Sequence, residues 1–204
     1  MSNNTHAIKV CIGNYASYAA GYLVDRWVTL PMSNDELDAA VKSVIADARA
    51  VVTGDDCEEI YISDYEVPVD VLVDGCHDIH QLDTLAKMCD VADDDQLAAA
   101  RILAECVGYD ALTYACCLQH VIDGDAEIYE IPDYGWGSDE GNYGEMILEE
   151  SGIPSSMRWL EGYIDCEAIG RDSDDYISDG HYIRCGARVS QDYTWDELAT
   201  EYAD

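Results

Sequence analysis

The chain has 204 residues, 43 acidic against 10 basic, with a formal net charge of −33 and 49% apolar residues. So large an apolar share fills a core, which excludes a disordered acidic tail. The missing bases exclude nucleic acid and anionic membrane as direct ligands, since both need cationic patches. Self-repulsion of such a surface opposes the compact state, so the charge points to a strongly basic partner. The acids are unevenly placed. Residues 1–30 carry only Asp25, whereas residues 123–179 carry 17 carboxylates against Arg158 and Arg171, with apolar and aromatic residues interleaved.

In chain order, Ile8–Ile12 and Leu23–Leu30 read as β-strands joined by a linker over Gly13–Tyr22. Ser33 and Glu36 form a capping box. Leu37, Ala40, Val41, Val44, Ile45 and Ala48 follow as one helical stripe, with Asp38 and Asp47 facing water and an end before Gly54. Glu59–Tyr65 alternates as a third strand. These elements make an α+β unit over residues 1–68. Residues 69–122 are helical. Asp78–Cys89 is one helix, Gln96–Val107 a second behind the Asp93–Asp95 triplet, and Ala111–Ile122 a third closed by Gly124. Residues 123–204 form an acidic α+β unit: a strand at Ala126–Ile131, a loop over Asp133–Asn142, and a helix at Tyr143–Glu150 with Glu145 and Glu149 outward. A short helix or turn at Tyr163–Arg171 and a strand at His181–Val189 complete it, and Asp192–Asp204 reads as a mobile tail. The fold class is α+β, three small domains in an elongated chain.

Nine cysteines, an odd number without a C-x-x-C pair, read as reduced core thiols. Met1–Val10 has no apolar signal region and no run approaches a membrane span, so the expected compartment is the cytoplasm. Cys76, His77, His80 and Cys89 do not match a standard zinc spacing. The acidic run Asp172–Gly180 fails as a calcium loop, with Gly186 where Glu is required. No nucleophile-elbow, phosphate-loop or zinc-protease motif is present, so no catalytic residue, metal or cofactor is expected.

Charge magnitude sharpens the partner. Duplex DNA carries one charge per about 1.7 Å of axis, so 33 charges correspond to roughly 56 Å of duplex. A compact globule of this length has a radius of gyration of roughly 17 Å, so small units strung in a row match the charge better than a sphere. Glu145 and Glu149, about 5–6 Å apart at i, i+4, stand at a separation like that of neighbouring phosphates.

The opening Ile8–Pro31 (IKVCIGNYASYAAGYLVDRWVTLP), Glu59–Glu66 (EIYISDYE), Glu127–Gly135 (EIYEIPDYG) and Leu160–Asp172 (LEGYIDCEAIGRD) resemble the ArdA-type antirestriction proteins of mobile elements. Cys166 stands where an aromatic is expected. The resemblance covers almost the whole chain and implies a curved homodimer that imitates bent B-form DNA. It implies a target as well, the DNA-binding groove of type I restriction–modification enzymes at their DNA-recognition and methyltransferase core. The dimer contact it implies lies at Leu160, Tyr163, Ile164 and Ile169. The carboxylates expected in the places of phosphates are Asp64, Glu66, Asp70, Asp74, Asp78, Asp123, Asp125, Asp133, Asp139, Glu140, Glu145, Glu149, Glu150, Asp165, Glu167, Asp172, Asp174 and Asp175. Two other readings fit the same charge: an acidic binding module for another basic DNA-binding partner, and a salt-adapted surface. Aspartates outnumber glutamates 28 to 15 and lysines number three, as a salt-adapted surface would have.

Overall fold

A computed structural model describes residues 6–53, 57–108, 110–126, 128–152, 155–178, 180–183 and 192–203. Strand β1 (Ile8–Asn14) is β-branched and almost wholly buried, so it lies between its neighbours β2 (Asp25–Leu30) and β3 (Ile60–Glu66) in an antiparallel sheet of order β2-β1-β3. Between β1 and β2 the expected linker contains a short helix, α1 (Tyr15–Ala19). The Asn14 side chain caps it by accepting the Ser17 N–H at 3.1 Å. Five residues carry too little periodicity to be read from sequence, and only the cap marks them.

Helix α2 (Asn34–Val51) starts at the expected Ser33–Glu36 capping box and lays Leu37 and Val44 on the Ile8, Val10 and Ile12 face of the sheet, with Ala48 buried on the same stripe. Helix α3 (Ile79–Val91) is capped by Asp78, α4 (Asp94–Val107) by Asp93 in a second box with Gln96, and α5 (Ala111–Asp123) by Asp110. Gly124, at φ 78°, closes α5 in the left-handed region that glycine adopts without strain. Asp83 fastens the N-terminal sheet to these helices. It is 3% exposed, accepts the Met32 N–H at 2.8 Å and pairs with Lys87 at 3.4 Å. One buried cluster runs from Ile8 and Leu37 through Leu82, Leu103 and Leu118 to Ile183 and Leu198.

The C-terminal sheet has order β4-β6-β5, all antiparallel, from β4 (Ile128–Glu130), β5 (Tyr176–Ser178) and β6 (His181–Ile183). Strand β5 was not expected. β4 is shorter than Ala126–Ile131, and residues 184–189 of the expected last strand lie outside the described residues. Helix α6 (Asp139–Ser151) begins four residues before the expected Tyr143, because Ser138 caps it on the Gly141 N–H. A 3-10 helix (Ser155–Tyr163) and α7 (Cys166–Arg171) follow. Tyr143, Met146 and Tyr182 form a second small core, the Tyr143 and Tyr182 rings 4.7 Å apart.

The expected mobile tail is a correction. Helix α8 (Trp195–Glu201) opens on a Thr194–Glu197 capping box, and Leu198 is fully buried. The Tyr202 hydroxyl donates to Gln119 at 2.8 Å, and Cys116 Sγ donates to the Tyr193 carbonyl at 3.4 Å. Both tie the chain end to α5. No described helix is long and apolar enough to cross a membrane.

Candidate acidic interaction surface

The acidic C-terminal unit is organised by a crossing of α6 and α7 at two glycines. A Cβ on Gly144 would lie 1.8 Å from the Cys166 carbonyl oxygen, and one on Gly170 would lie 2.0 Å from the Glu140 carbonyl oxygen. The two backbones are in direct contact. Asp139, Glu140, Glu145, Glu149 and Glu150 on α6 are thereby held beside Asp165, Glu167 and Asp172 at α7. Cys166 Sγ donates to Glu145 Oε2 at 3.2 Å across the crossing. Burial, the acceptor Glu145 and that residue's charge push the thiol up to about 11, so it stays protonated and keeps donating. Glu145, expected outward, is half-buried by this contact.

In the N-terminal sheet a β-bulge decides which acids face out. Cys11 pairs with Asp64 while the next residue, Ile12, pairs with Ile62, so Ser63 is the extra residue. Side chains alternate along a strand, and one inserted residue reverses the phase. Asp64 and Glu66 therefore share the face of Tyr61, opposite α2, and Glu66 meets Lys9 at 2.7 Å.

Of the eighteen expected carboxylates, thirteen are exposed: Asp64, Glu66, Asp74, Asp78, Asp123, Asp125, Asp133, Glu149, Glu150, Asp165, Glu167, Asp172 and Asp174. Asp70, Asp139, Glu140, Glu145 and Asp175 are half-buried. Several also hold the scaffold. Asp78 and Asp165 cap helices, Asp133 accepts the Gly135 N–H, and Asp139 accepts the Gly180 N–H at 2.9 Å. Asp175 accepts from the Tyr143 hydroxyl, Asp123 from Gln119, and Glu149 from the Tyr134 hydroxyl at 2.9 Å. That last bond raises the Tyr134 hydroxyl above its ordinary range. Asp125 faces the ring of His120 at 3.6 Å. Asp70 and Asp139 line a recess with Arg101, Glu105 and His181, and Arg101 meets Glu105 at 2.6 Å. Asp74, Glu140, Glu167, Asp172 and Asp174 make no side-chain hydrogen bond among the described residues.

Around Leu160, Tyr163, Ile164 and Ile169 exposed aromatic rings stand beside the exposed carboxylates Asp165 and Glu167. Tyr163 is 84% exposed and Trp159 70%, while Leu160, Ile164 and Ile169 are half-buried. Among the described residues no three His, Cys, Asp or Glu gather in a metal-ligating group, and Cys11, Cys57, Cys76, Cys89, Cys116, Cys117 and Cys166 are free thiols. Cys57 is buried, and Cys185 lies outside the described residues.

The family model of the antirestriction protein ArdA matches residues 10–184. The chain belongs to the ArdA antirestriction family. No curated protein matches it. The matched span of this ArdA-family chain takes in both sheets, the central helices and the α6–α7 crossing; α8 lies beyond it. Sequence reasoning passed over Gly144, Gly170 and Ser63. The glycines carry a signal: a glycine inside a helix costs about 1 kcal/mol against alanine and marks a packing reason. Ser63 carries none, because its bulge is visible only in the pairing register.

Proposed function

We propose that this ArdA-family protein is a DNA mimic that occupies the DNA-binding groove of a type I restriction–modification enzyme and keeps DNA out. The observation that carries the reading is the outward set of carboxylates fixed to capped helices and a bulged strand, on a chain with −33 net charge and few intervening bases. In this reading the units 1–68, 69–122 and 123–204 follow one another along the chain, and one continuous core draws residues from all three. The exposed Trp159 and Tyr163 beside Leu160, Ile164 and Ile169 are the contact of a homodimer, which doubles the length of imitated duplex. The reaction is none; the protein binds, in a cytoplasm that keeps its thiols reduced.

Binding releases the counterions held by both surfaces, as DNA binding does. Each exposed carboxylate contributes little by itself, so the effect is collective. The test is displacement of labelled duplex DNA from a type I methyltransferase core by two sets of variants. Single neutralisations such as Glu149→Gln are expected to leave displacement within about twofold. Joint neutralisation of Asp64, Glu66, Glu149, Glu150, Glu167 and Asp172 is expected to weaken it by about 100-fold or more. Undiminished displacement by the sixfold variant would end the proposal.

A further inference from the structure

The N-terminal sheet has one face covered by α2, and on the other, among the described residues, aromatic side chains of β2, β3 and the short helix α1 gather. Cross-strand neighbours share a face, so the register aligns Trp27, Cys11 and Asp64 in one row and Asp25, Gly13 and Tyr61 in the next. Gly13 is there because Tyr61 lies on it: a Cβ would stand 2.7 Å from the Tyr61 ring. The Tyr15 and Tyr18 rings lie 4.6 and 6.1 Å from that of Tyr61. Tyr15, Tyr18 and Trp27 are 52%, 61% and 47% exposed. This is the stretch in which the acids stop, since residues 1–30 carry only Asp25.

We propose that this aromatic face is an anchor for the same enzyme, gripping a protein surface beside the groove where the acids imitate DNA. The inference rests on the DNA-mimic reading and adds to it a contact of different chemistry. Exposed, contiguous tyrosine and tryptophan mark protein-binding surfaces, and these residue types dominate binding energy where they become desolvated. The register supplies continuity. Asp64 stands in the same row as Trp27, so a partner seated over the acidic surface reaches the aromatic one without a gap. Two other occupants are disfavoured by charge. A second copy would bring Asp25, Asp64 and Glu66 against their own equivalents, and a nucleic acid that could stack on the rings is repelled by the −33 surplus.

The chemistry predicts a distinct salt signature. Carboxylate contacts are screened as salt rises and set the slope of log affinity against log salt, whereas apolar burial leaves that slope alone. The experiment measures Kd for a type I methyltransferase core from about 50 to about 300 mM salt, with wild-type protein, the Tyr18→Ser/Trp27→Ser double variant and the sixfold acid variant. Unchanged thermal denaturation of the double variant verifies its fold, and sedimentation gives its oligomeric state. The double variant is expected to raise Kd roughly tenfold or more at every salt concentration with the slope unchanged, while the acid variant flattens the slope. If the double variant binds within twofold of wild type while the acid variant weakens, the mimic stands and the anchor is overturned. A shift of the double variant toward monomer overturns it too, by making the face a self-contact. If wild-type protein does not bind the core at all, the functional reading falls and the anchor falls with it.

Discussion

Gly144 and Gly170 occupy helices in which alanine would ordinarily add about 1 kcal/mol of stability. Here the sign reverses, because a Cβ at either position meets a carbonyl oxygen at 1.8 or 2.0 Å, and backbone cannot swing aside as a side chain can. Gly144→Ala and Gly170→Ala are expected to lower stability by about 2 kcal/mol or more in chemical denaturation. Gly162→Ala, with nothing within 4 Å of its added Cβ, serves as the neutral control. A second residue-scale expectation concerns the thiols. Burial pushes Cys76 and Cys166 up to about 11 and Cys89 up to about 12. In the unfolded chain they ionise near pH 8.5, so above that pH the unfolded state holds fewer protons than the folded state. Stability from this source is therefore complete below about pH 8.5 and declines as pH rises above it. Melting temperatures at neutral and at alkaline pH should show the decline, and a Cys76→Ala/Cys89→Ala/Cys166→Ala variant should show less of it.

Helix α8 carries the clearest prediction among the elements. Leu198 is fully buried against the core shared with α3 and α5, and Leu198→Ala should cost about 2–5 kcal/mol. Amide hydrogen exchange across 195–201 should accelerate with it, whereas a loose tail would exchange quickly in wild type and show no change. The capping box makes the helix acid-sensitive. Its hydrogen bonds to Thr194 hold the Glu197 carboxyl below its ordinary range, so that contribution is present above the unfolded value and is lost as pH falls through the lowered one. Elements with long apolar stripes or visible caps were legible in the sequence. The stripe Leu37–Ala48 and its Ser33–Glu36 box, and the helix behind Asp78, stand where the pattern puts them. Elements held by tertiary contacts were not. The Thr194–Glu197 box is written in the sequence, yet its helix is only seven residues long and depends on α3 and α5 for its buried face. Strand β5 hides in Asp172–Gly180, where closely spaced aspartates suggest a cation loop. Gly180, at φ 75°, instead turns the chain into β6. The charge could be read from composition and the contact region at Leu160–Ile169 only from the family resemblance, but the acids that face outward could be read from neither. Asp64 and Glu66 depend on the bulge at Ser63, and Glu145 on the approach of Cys166.

For the molecule as a whole, the surplus of acid has two possible purposes that low salt separates. A salt-adapted surface requires screening to stay folded, because the Debye length grows to about 30 Å at 10 mM salt. This chain instead buries a continuous core from Ile8 to Leu198, and its circular dichroism is expected to remain native at about 10 mM salt. Unfolding there would favour salt adaptation. The central claim, that the protein takes the place of DNA in an enzyme's groove, is tested most directly by titrating a type I methyltransferase core with labelled duplex at several fixed concentrations of this protein. Mutually exclusive occupancy predicts that the apparent Kd for DNA rises in proportion to the protein added, without limit, while the signal at saturating DNA stays unchanged. An apparent Kd that levels off, or a saturating signal that falls, would mean that protein and DNA do not contend for the same groove and would contradict the account.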